Sequence, residues 1–160
     1  MEGQYTGNNI QVLDGLTHVR TRPGMYIGDT STDGLHHLLW EIVDNAIDEA
    51  MNGFASTIEV TLHEDGQSAT VTDNGRGIPV DIHPTEKRST LEVIFTTLYS
   101  GGKFDQASYL QSGGLHGVGA SVVNALSSTL IATVKRQDAA WTQEFSRGAP
   151  LAPVAQTQNG

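Results

Sequence analysis

Side chains capable of acid–base and metal-binding chemistry recur at helical spacing within Asp33–Gly53. When successive residues are placed about 100° apart around a helix axis, one face carries His37, Glu41, Asn45, Asp48 and, at its edge, Glu49. The opposite arc is apolar and consists of Leu35, Leu39, Ile42, Val43, Ala46, Ile47 and Ala50. The stretch is therefore predicted to be an amphipathic helix with one face in a core.

Two interpretations of the polar face stay open on the pattern alone. It is either the solvated side of a surface helix or a ligand-binding face. Four acids fall within residues 41–49, and no Lys or Arg lies in the helix to pair with them. Because a solvated helix face usually mixes charges of both signs, this stripe predicts a cation from elsewhere, such as Mg²⁺ or a distant arginine.

A second candidate is the glycine-rich segment Gly113–Gly119, which precedes a predicted helix at 120–126. The N–H groups and dipole of a helix N-terminus favour anions, and glycines let a phosphate approach the backbone. The alternative is a loop with tight turns. No Lys-Ser or Lys-Thr follows the last glycine, and no strand precedes the run, so it is neither a P-loop nor a Rossmann motif.

Two single residues are candidates for ligand contacts. Asp73 stands at the end of a predicted strand before two glycines, where its carboxylate can accept a hydrogen bond from a ligand amino group; the alternative is a turn built by its own side chain. Lys103 lies in the glycine-flanked segment 100–114, whose composition favours a hinged lid. The Lys103 ammonium could contact a phosphate; the alternative is a solvated surface lysine. His36, His37 and His116 lack metal-ligand spacing, so no zinc site is predicted.

The composition limits the class of protein. A chain of 160 residues with 38% hydrophobic residues suits one globular domain. A net charge of −9 repels nucleic-acid backbones, so DNA is not expected to bind this part directly. There is no cysteine, no long apolar run and no signal-like N-terminus, which together predict a soluble cytoplasmic protein without membrane association.

The remaining elements are predicted from periodicity and turn residues. Residues 1–13 are expected to form an N-terminal arm, and 148–160 an irregular loop or linker tail. A turn is expected at 22–28. Helices are predicted at 15–20, after Asp14, and at 89–97, the second with Ser89 as its N-cap and Glu92 completing a capping box. Strands are predicted at 57–63 and 68–72, which form a hairpin, and at 129–136 and 141–146.

The order of these motifs resembles the ATPase domain of bacterial type II topoisomerases, the family of the gyrase and topoisomerase IV B-type subunits. The order comprises the acidic helix with Asn45, the Asp73–Pro79 segment, the Gly-Gly-Lys-Phe sequence at Lys103, and Gly113–Gly119. Arg22–Gly28 narrows the resemblance to topoisomerases within a superfamily that includes Hsp90, MutL and sensor histidine kinases. The resemblance runs from about residue 5 to 147 and does not separate gyrase from topoisomerase IV.

The resemblance implies an α/β sandwich of the Bergerat type. Helices cover one face of a mixed, mostly antiparallel sheet, and ATP binds under a lid. On this basis residues 14–147 are assigned to an ATP-binding domain. Phosphoryl transfer requires mainly positioning and charge neutralisation, and one amide together with the phosphates suffices for Mg²⁺, which keeps several waters.

The resemblance also implies individual roles. Glu41 is expected to be the general base that orients the attacking water, with His37 as its hydrogen-bonding partner. Asn45 is expected to be the Mg²⁺ ligand, and Asp73 the adenine reader.

Further residues complete the implied ATP site. Glu49 and Arg76 are expected to form an ion pair beside the adenine. The walls of the base pocket are expected to be Gly77, Ile78, Pro79 and Ile94. Phosphate and lid contacts are expected from Lys103, Tyr109, Gly113, Gly114, Leu115, His116, Gly117, Val118 and Gly119. Tyr5 is expected to reach the ATP of a partner subunit, and Arg136 to lie at the rim used by aminocoumarin inhibitors.

The implied activity is ATP binding and hydrolysis that drives DNA strand passage, with ATP-dependent pairing of two subunits and with the A-type subunit and DNA held by other domains. Family domains continue with more strands, a Gly-Thr motif and a lysine of a following domain, none of which occurs here. We therefore expect this chain alone to be a monomer that binds ATP with little turnover. The rival predictions are a sensor-kinase or chaperone-type module and a nucleotide-binding module without catalysis.

Overall fold

The long amphipathic helix predicted from the sequence is present. The computed structural model describes residues 15–98 and 119–157. Its helices are α1 Gly15–Thr21, α2 Gly24–Ile27, α3 Thr32–Met51, α4 Thr90–Thr96 and α5 Gly119–Ala125. Its strands are β1 Ile58–Leu62, β2 Ala69–Asp73, β3 Leu130–Arg136, β4 Ala139–Ser146, β5 Ala149–Pro150 and β6 Ala155–Thr157. The helix α3 therefore agrees with the predicted span to within two residues at each end.

The strands form two antiparallel sheets within the described ranges. β1 pairs with β2 in a hairpin whose register places Ile58 opposite Asp73. The second sheet has the order β3-β4-β5, and β6 also pairs with β4. The expected antiparallel character is confirmed. The expected parallel component of a mixed sheet is not seen among the described strands, whose pairings are all antiparallel.

The core lies between the second sheet and the helices α4 and α5. Its buried members are Leu91, Phe95, Ala120, Ala132, Val134 and Phe145. The rings of Phe95 and Phe145 lie 5.5 Å apart between centroids. Full burial of a side chain of this size stabilises a fold by about 1.5–3 kcal/mol. A second cluster joins α1 and α2 to α5 through Val19, Ile27, Val122 and Ala125. These contacts fix the position of α5.

The prediction that α3 buries its apolar face and leaves its polar face open is wrong in part. Val43 and Ala46 on the apolar arc are buried, but Leu35 on that arc is 61% exposed. Glu41 and Asp48 on the polar face are 7% and 2% exposed. The reason is that α3 packs against α5, against the β1–β2 hairpin and against α2. An amphipathic pattern assumes one solvated side, whereas neighbours cover this helix on several.

The predicted capping box at the start of α4 is also wrong. Ser89 makes no side-chain cap hydrogen bond. Its hydroxyl donates instead to the carbonyl oxygen of Val80, at 2.9 Å. The Glu92 carboxylate accepts from Gln143 Nε2 at 2.8 Å and so ties α4 to the sheet. Tertiary partners outcompete the local cap for both side chains.

The irregular tail expected from Gly148 onward is wrong for its described part. β5 and β6 both pair with β4, with Ala149 opposite Ser146 and Gln156 opposite Trp141. Proline and an absence of charge concealed these short edge strands, since proline is tolerated at a sheet edge. The predicted turn at 22–28 likewise contains the short helix α2.

The turn between β3 and β4 is two residues long, whereas the predicted strand bounds left four residues between them. The strands meet at a two-residue turn in which Gln137 and Asp138 have φ of 54° and 60°. Such positive values at both positions match the right-handed twist of a hairpin. Among the described residues, no helix has the length and apolar character needed to cross a membrane.

Candidate functional site

Glu41 connects the acidic helix with the glycine-rich segment. Its carboxylate is buried on α3, and Oε2 accepts a hydrogen bond from the Gly119 N–H at 3.2 Å. Gly119 is the first residue of α5 and has φ of 81°, a conformation that glycine adopts without strain. The structure thus places the predicted base at the end of the glycine-rich segment.

Asp73 ends β2 and organises the turn that follows. Its Oδ1 accepts from the Gly75 N–H at 2.8 Å, which is the turn-forming role weighed above. Among the described residues no other side-chain bond to this exposed carboxylate is formed, so Oδ2 is accessible to a ligand. The turn interpretation and the ligand interpretation are therefore compatible.

A side chain at Gly75 would displace the carboxylates that meet at this turn. A Cβ at this position would lie 2.7 Å from Glu49 Oε2 and 2.8 Å from Asp73 Oδ1. Because Gly75 has no side chain, the carboxylates of Asp73 and Glu49 can both accept hydrogen bonds from the backbone of this loop.

Glu49 and Arg76 form the predicted ion pair. Arg76 Nη2 lies 2.6 Å from Glu49 Oε1, and the guanidinium side chain is 40% exposed. The Arg76 backbone N–H also donates to Glu49 Oε2, at 3.1 Å. The end of α3 is thereby tied to the loop after β2. The place of this pair beside an adenine stays a prediction.

Arg136 on β3 holds the other end of the same loop. Its Nη1 donates to the carbonyl oxygen of Gly77 at 2.7 Å and to that of Arg76 at 3.3 Å. Gly77 has φ of 78°, and a Cβ there would lie 3.0 Å from the carbonyl oxygen of Lys135. The half-buried Ile78 and Ile94 pack against the main core beside this loop, and Pro79 is also half-buried.

His37 and Asn45 lie on α3 one turn before and one turn after Glu41. The expected hydrogen bond between His37 and Glu41 is not formed: His37 is exposed, and the Glu41 carboxylate faces Gly119. The half-buried Asn45 makes no side-chain hydrogen bond with any described residue. Its amide oxygen is therefore available to a ligand.

Several predicted contacts lie outside the described residues. They are Tyr5, Lys103, Tyr109, Gly113, Gly114, Leu115, His116, Gly117 and Val118. Their roles stay predictions.

Two residues that organise the loop have no prediction from the sequence. Asn74 Oδ1 accepts from the N–H groups of Ser56 and Thr57, at 2.8 and 2.9 Å. The Phe54 ring lies beneath the Arg76 guanidinium, with Cζ 3.7 Å from the ring centroid. An asparagine after a strand signals only a turn, and an aromatic residue after a helix carries no periodic signal.

The start of α3 has its own electrostatic anchor. Asp29 Oδ1 accepts from the Ser31 hydroxyl at 2.5 Å and from its N–H at 2.8 Å. These bonds lower the pKa of Asp29, the hydroxyl contributing most, and the charge of His37 acts in the same direction. The negative carboxylate also suits the positive end of the helix dipole.

The structure brings together an acidic helix, a carboxylate turn after a strand and a helix that starts at the last glycine of a run, an arrangement that suits nucleotide binding. The family model described as "Histidine kinase-, DNA gyrase B-, and HSP90-like ATPase" matches residues 30–149. The chain belongs to this family. The resemblance inferred from the motifs, and the α/β fold inferred with it, are confirmed.

Relatives of the chain include the B subunits of DNA gyrase from several organisms. The chain is 60% identical to the Thermotoga maritima gyrase B protein over 151 residues, which cover 94% of this chain and 24% of that protein. It is 59% identical to the Helicobacter pylori gyrase B protein, covering 94% of this chain and 19% of the relative. It is 61% identical to the Haloferax volcanii gyrase B protein, covering 93% and 23%. The chain therefore spans about a fifth to a quarter of their length.

A solved structure agrees with these relatives. The fold is similar to the crystal structure of the 43K ATPase domain of Thermus thermophilus gyrase B in complex with an aminocoumarin, with a TM-score of 0.77 and 48% sequence identity. The match covers 92% of this chain and 36% of that one.

Proposed function

We propose that this chain is the ATP-binding part of a type II DNA topoisomerase of the gyrase B kind. The observation that carries the proposal is the hydrogen bond from the Gly119 N–H to the buried Glu41 carboxylate. It brings the acidic helix to the end of the glycine-rich segment, as a phosphate site with an adjacent base requires. Identities of 59–61% to gyrase B proteins support the topoisomerase class over a sensor kinase or chaperone.

In this proposal the adenine enters between Asp73 and the wall of Gly77, Ile78, Pro79 and Ile94. The carboxylate of Asp73 accepts from the adenine amino group through the oxygen that Gly75 does not use. Arg76, held by Glu49, borders the base. Arg136, whose guanidinium holds the loop carbonyls, forms the rim that an aminocoumarin contacts.

Glu41 acts as the general base and accepts the proton of the attacking water. Its burial excludes bulk water around the reacting group, which strengthens electrostatic interactions there. Lys103, Tyr109 and the segment from Gly113 to Gly119 contact the phosphates and close over them.

Asn45 fits a Mg²⁺ site. Its amide oxygen is a hard ligand with no side-chain partner among the described residues. Within those residues no group of three or more histidine or acidic side chains could hold a metal, which suits an ion whose other ligands are phosphates and water. When bound, Mg²⁺ neutralises charge on the phosphates.

The proposal extends to partners and location. Tyr5 in the N-terminal arm reaches the ATP of a second copy, and ATP closes two subunits as a gate for DNA held by other domains and by the A-type subunit. The protein acts in the cytoplasm. This chain by itself remains a monomer with little turnover.

Glu41→Gln tests the catalytic part of this proposal. Because turnover needs the remainder of the subunit, the chain replaces the matching 151 residues of the Thermotoga maritima gyrase B protein, and the chimera is assayed with its A-type partner. Hydrolysis should fall by about 10²–10⁴-fold, the contribution typical of a general base, while ATP still binds. The control is Glu144→Gln, an exposed acid on β4. Unreduced hydrolysis in Glu41→Gln would contradict the assignment.

A further inference from the structure

The Phe54 ring packs against one face of the Arg76 guanidinium. The Arg76 guanidinium carbon lies 3.7 Å from the centroid of the Phe54 ring. A guanidinium at this distance is attracted by the electrons of an aromatic face. Phe54 is 43% exposed, so its ring is placed by something other than burial in the core.

The backbone at the end of α3 sets the position of this ring. Gly53 turns the chain with φ of 83°. The N–H groups of Phe54 and Ala55 then donate to the carbonyl oxygen of Glu49, at 2.8 and 3.1 Å. Glu49 thus holds Phe54 with its carbonyl group and Arg76 with its carboxylate.

The two contacts restrain Arg76 in different directions. Glu49 meets the edge of the guanidinium through Nη2 at 2.6 Å and Nε at 3.3 Å, whereas Phe54 covers one of its faces. Partly exposed ion pairs hold a side chain weakly, because water screens them and the long side chains keep their freedom. A ring on the guanidinium face removes both water and rotation, so it adds order that the ion pair alone lacks.

The same contacts reach the adenine side of the site. The Arg76 N–H donates to Glu49 Oε2, and the neighbouring Gly75 N–H donates to Asp73. Movement of Arg76 therefore disturbs the turn that orients the Asp73 carboxylate.

We propose that Phe54 is a positioning residue for the nucleotide site. It fixes Arg76, and through Arg76 the 73–77 loop, and so raises ATP affinity without contacting ATP or taking part in hydrolysis. The effect on ATP affinity rests on the proposed function. The restraint of the Arg76 side chain by Phe54 rests only on the geometry of the chain.

The experiment compares Phe54→Leu with Phe54→Tyr in the 160-residue chain. Leucine keeps an apolar side chain and loses the aromatic face, whereas tyrosine keeps that face. Calorimetry with Mg²⁺ and ATP should show affinity reduced about two- to fivefold in Phe54→Leu, the range for an exposed cation–π contact, and restored in Phe54→Tyr. Trp40→Leu, which removes an exposed aromatic side chain elsewhere in the chain, on α3, should leave affinity unchanged.

Two further readouts separate positioning from a general structural role. Hydrogen exchange of the Arg76 amide in the ligand-free chain should be faster in Phe54→Leu than in wild type and Phe54→Tyr. In an Arg76→Ala background, Phe54→Leu should have no further effect on ATP affinity. Equal affinities for the leucine and tyrosine variants, an unchanged Arg76 amide, or an undiminished effect without Arg76 would each overturn the inference. Failure of the wild-type chain to bind ATP would count against the proposed function, and the amide would still decide whether Phe54 positions Arg76.

Discussion

Buried carboxylates on α3 show how much a single residue depends on its neighbours. Glu41 and Asp48 are 7% and 2% exposed, and a buried charge is costly unless it is paired or hydrogen-bonded. Glu41 accepts from Gly119 across the chain. On a solvated helix face the same glutamate would be an exposed surface acid. Its burial and its hydrogen bond depend on the position of α5.

Asn45 offers a prediction at the residue scale. Asn45→Ala should remove most of the Mg²⁺ dependence of ATP affinity, because the amide oxygen is the protein ligand that the proposal assigns to the ion. The control is Asn52→Ala at the end of the same helix, whose Nδ2 donates to the Asp48 carbonyl oxygen. Calorimetry with and without Mg²⁺ measures both variants. An unaltered Mg²⁺ effect in Asn45→Ala would exclude this ligand.

Single residues could be predicted best where family motifs supply their roles. The ion pair of Glu49 with Arg76 is an example: the family resemblance implied these two residues, whereas the acidic helix alone predicted only some cation from elsewhere. The contacts of Asn74 with Ser56 and Thr57 could not be predicted, because they join segments whose separation the sequence does not encode. The Phe54 contact depends in the same way on a turn at Gly53 and on the path of a distant loop.

At the scale of elements, α3 owes its placement to a close backbone contact at its start. A Cβ at Gly34 would overlap the carbonyl oxygen of Asp29. Gly34→Ala should therefore destabilise the fold by about 1–3 kcal/mol, the cost typical of overpacking. Gly24→Ala is the matched control, because Gly24 is also helical and a Cβ there meets nothing within 4 Å. Chemical denaturation measures both, and equal stabilities would refute the close contact.

The β1–β2 hairpin gives a pH-dependent prediction. Asp65 in its turn accepts from the N–H groups of Gln67 and Ser68 and from the Ser68 hydroxyl, and these bonds lower its pKa below the ordinary 3.8. A lowered pKa in the fold means that the stabilisation is present above the unfolded value and is lost as the pH falls through the folded one.

Asp65→Asn tests this dependence. The variant should be less stable than wild type near neutral pH, and the difference should shrink as the pH falls below 3.8, the ordinary value. Denaturation as a function of pH measures it, with the exposed neighbour Glu64→Gln as control. A difference that is independent of pH would show that the charge of Asp65 has no part in the turn.

Elements with strong periodicity could be predicted, and those decided by pairing partners could not. The hairpin and the strands β3 and β4 follow from alternation and turn residues. β5 and β6 are two and three residues long, too short for a period, and exist because β4 offers its edge. Ser89 and Glu92 match a capping box in sequence, yet Val80 and Gln143 provide their partners instead.

At the scale of the whole molecule, the net charge and the fold have different roles in the proposed function. A net charge of −9 is expected to repel DNA backbones from this part, whereas the loop at 73–77 carries Arg76 and is held by Arg136 from β3. The α/β class could be predicted from the order of motifs. The separation of the described strands into two sheets could not, since it depends on which edges meet in space.

In the proposed function the Asp73 loop reads the adenine of ATP, and calorimetry on the 160-residue chain tests this role without the rest of the subunit. Wild type should bind ATP in the presence of Mg²⁺ and discriminate against GTP, because guanine lacks an amino group at the corresponding position. Asp73→Ala should lose about 1.5–3 kcal/mol of ATP binding, the range for hydrogen bonds to charged groups, and most of that discrimination, whereas Glu144→Ala on β4 should lose neither. ATP affinity and nucleotide preference that are unchanged in Asp73→Ala would show that this carboxylate does not read the adenine.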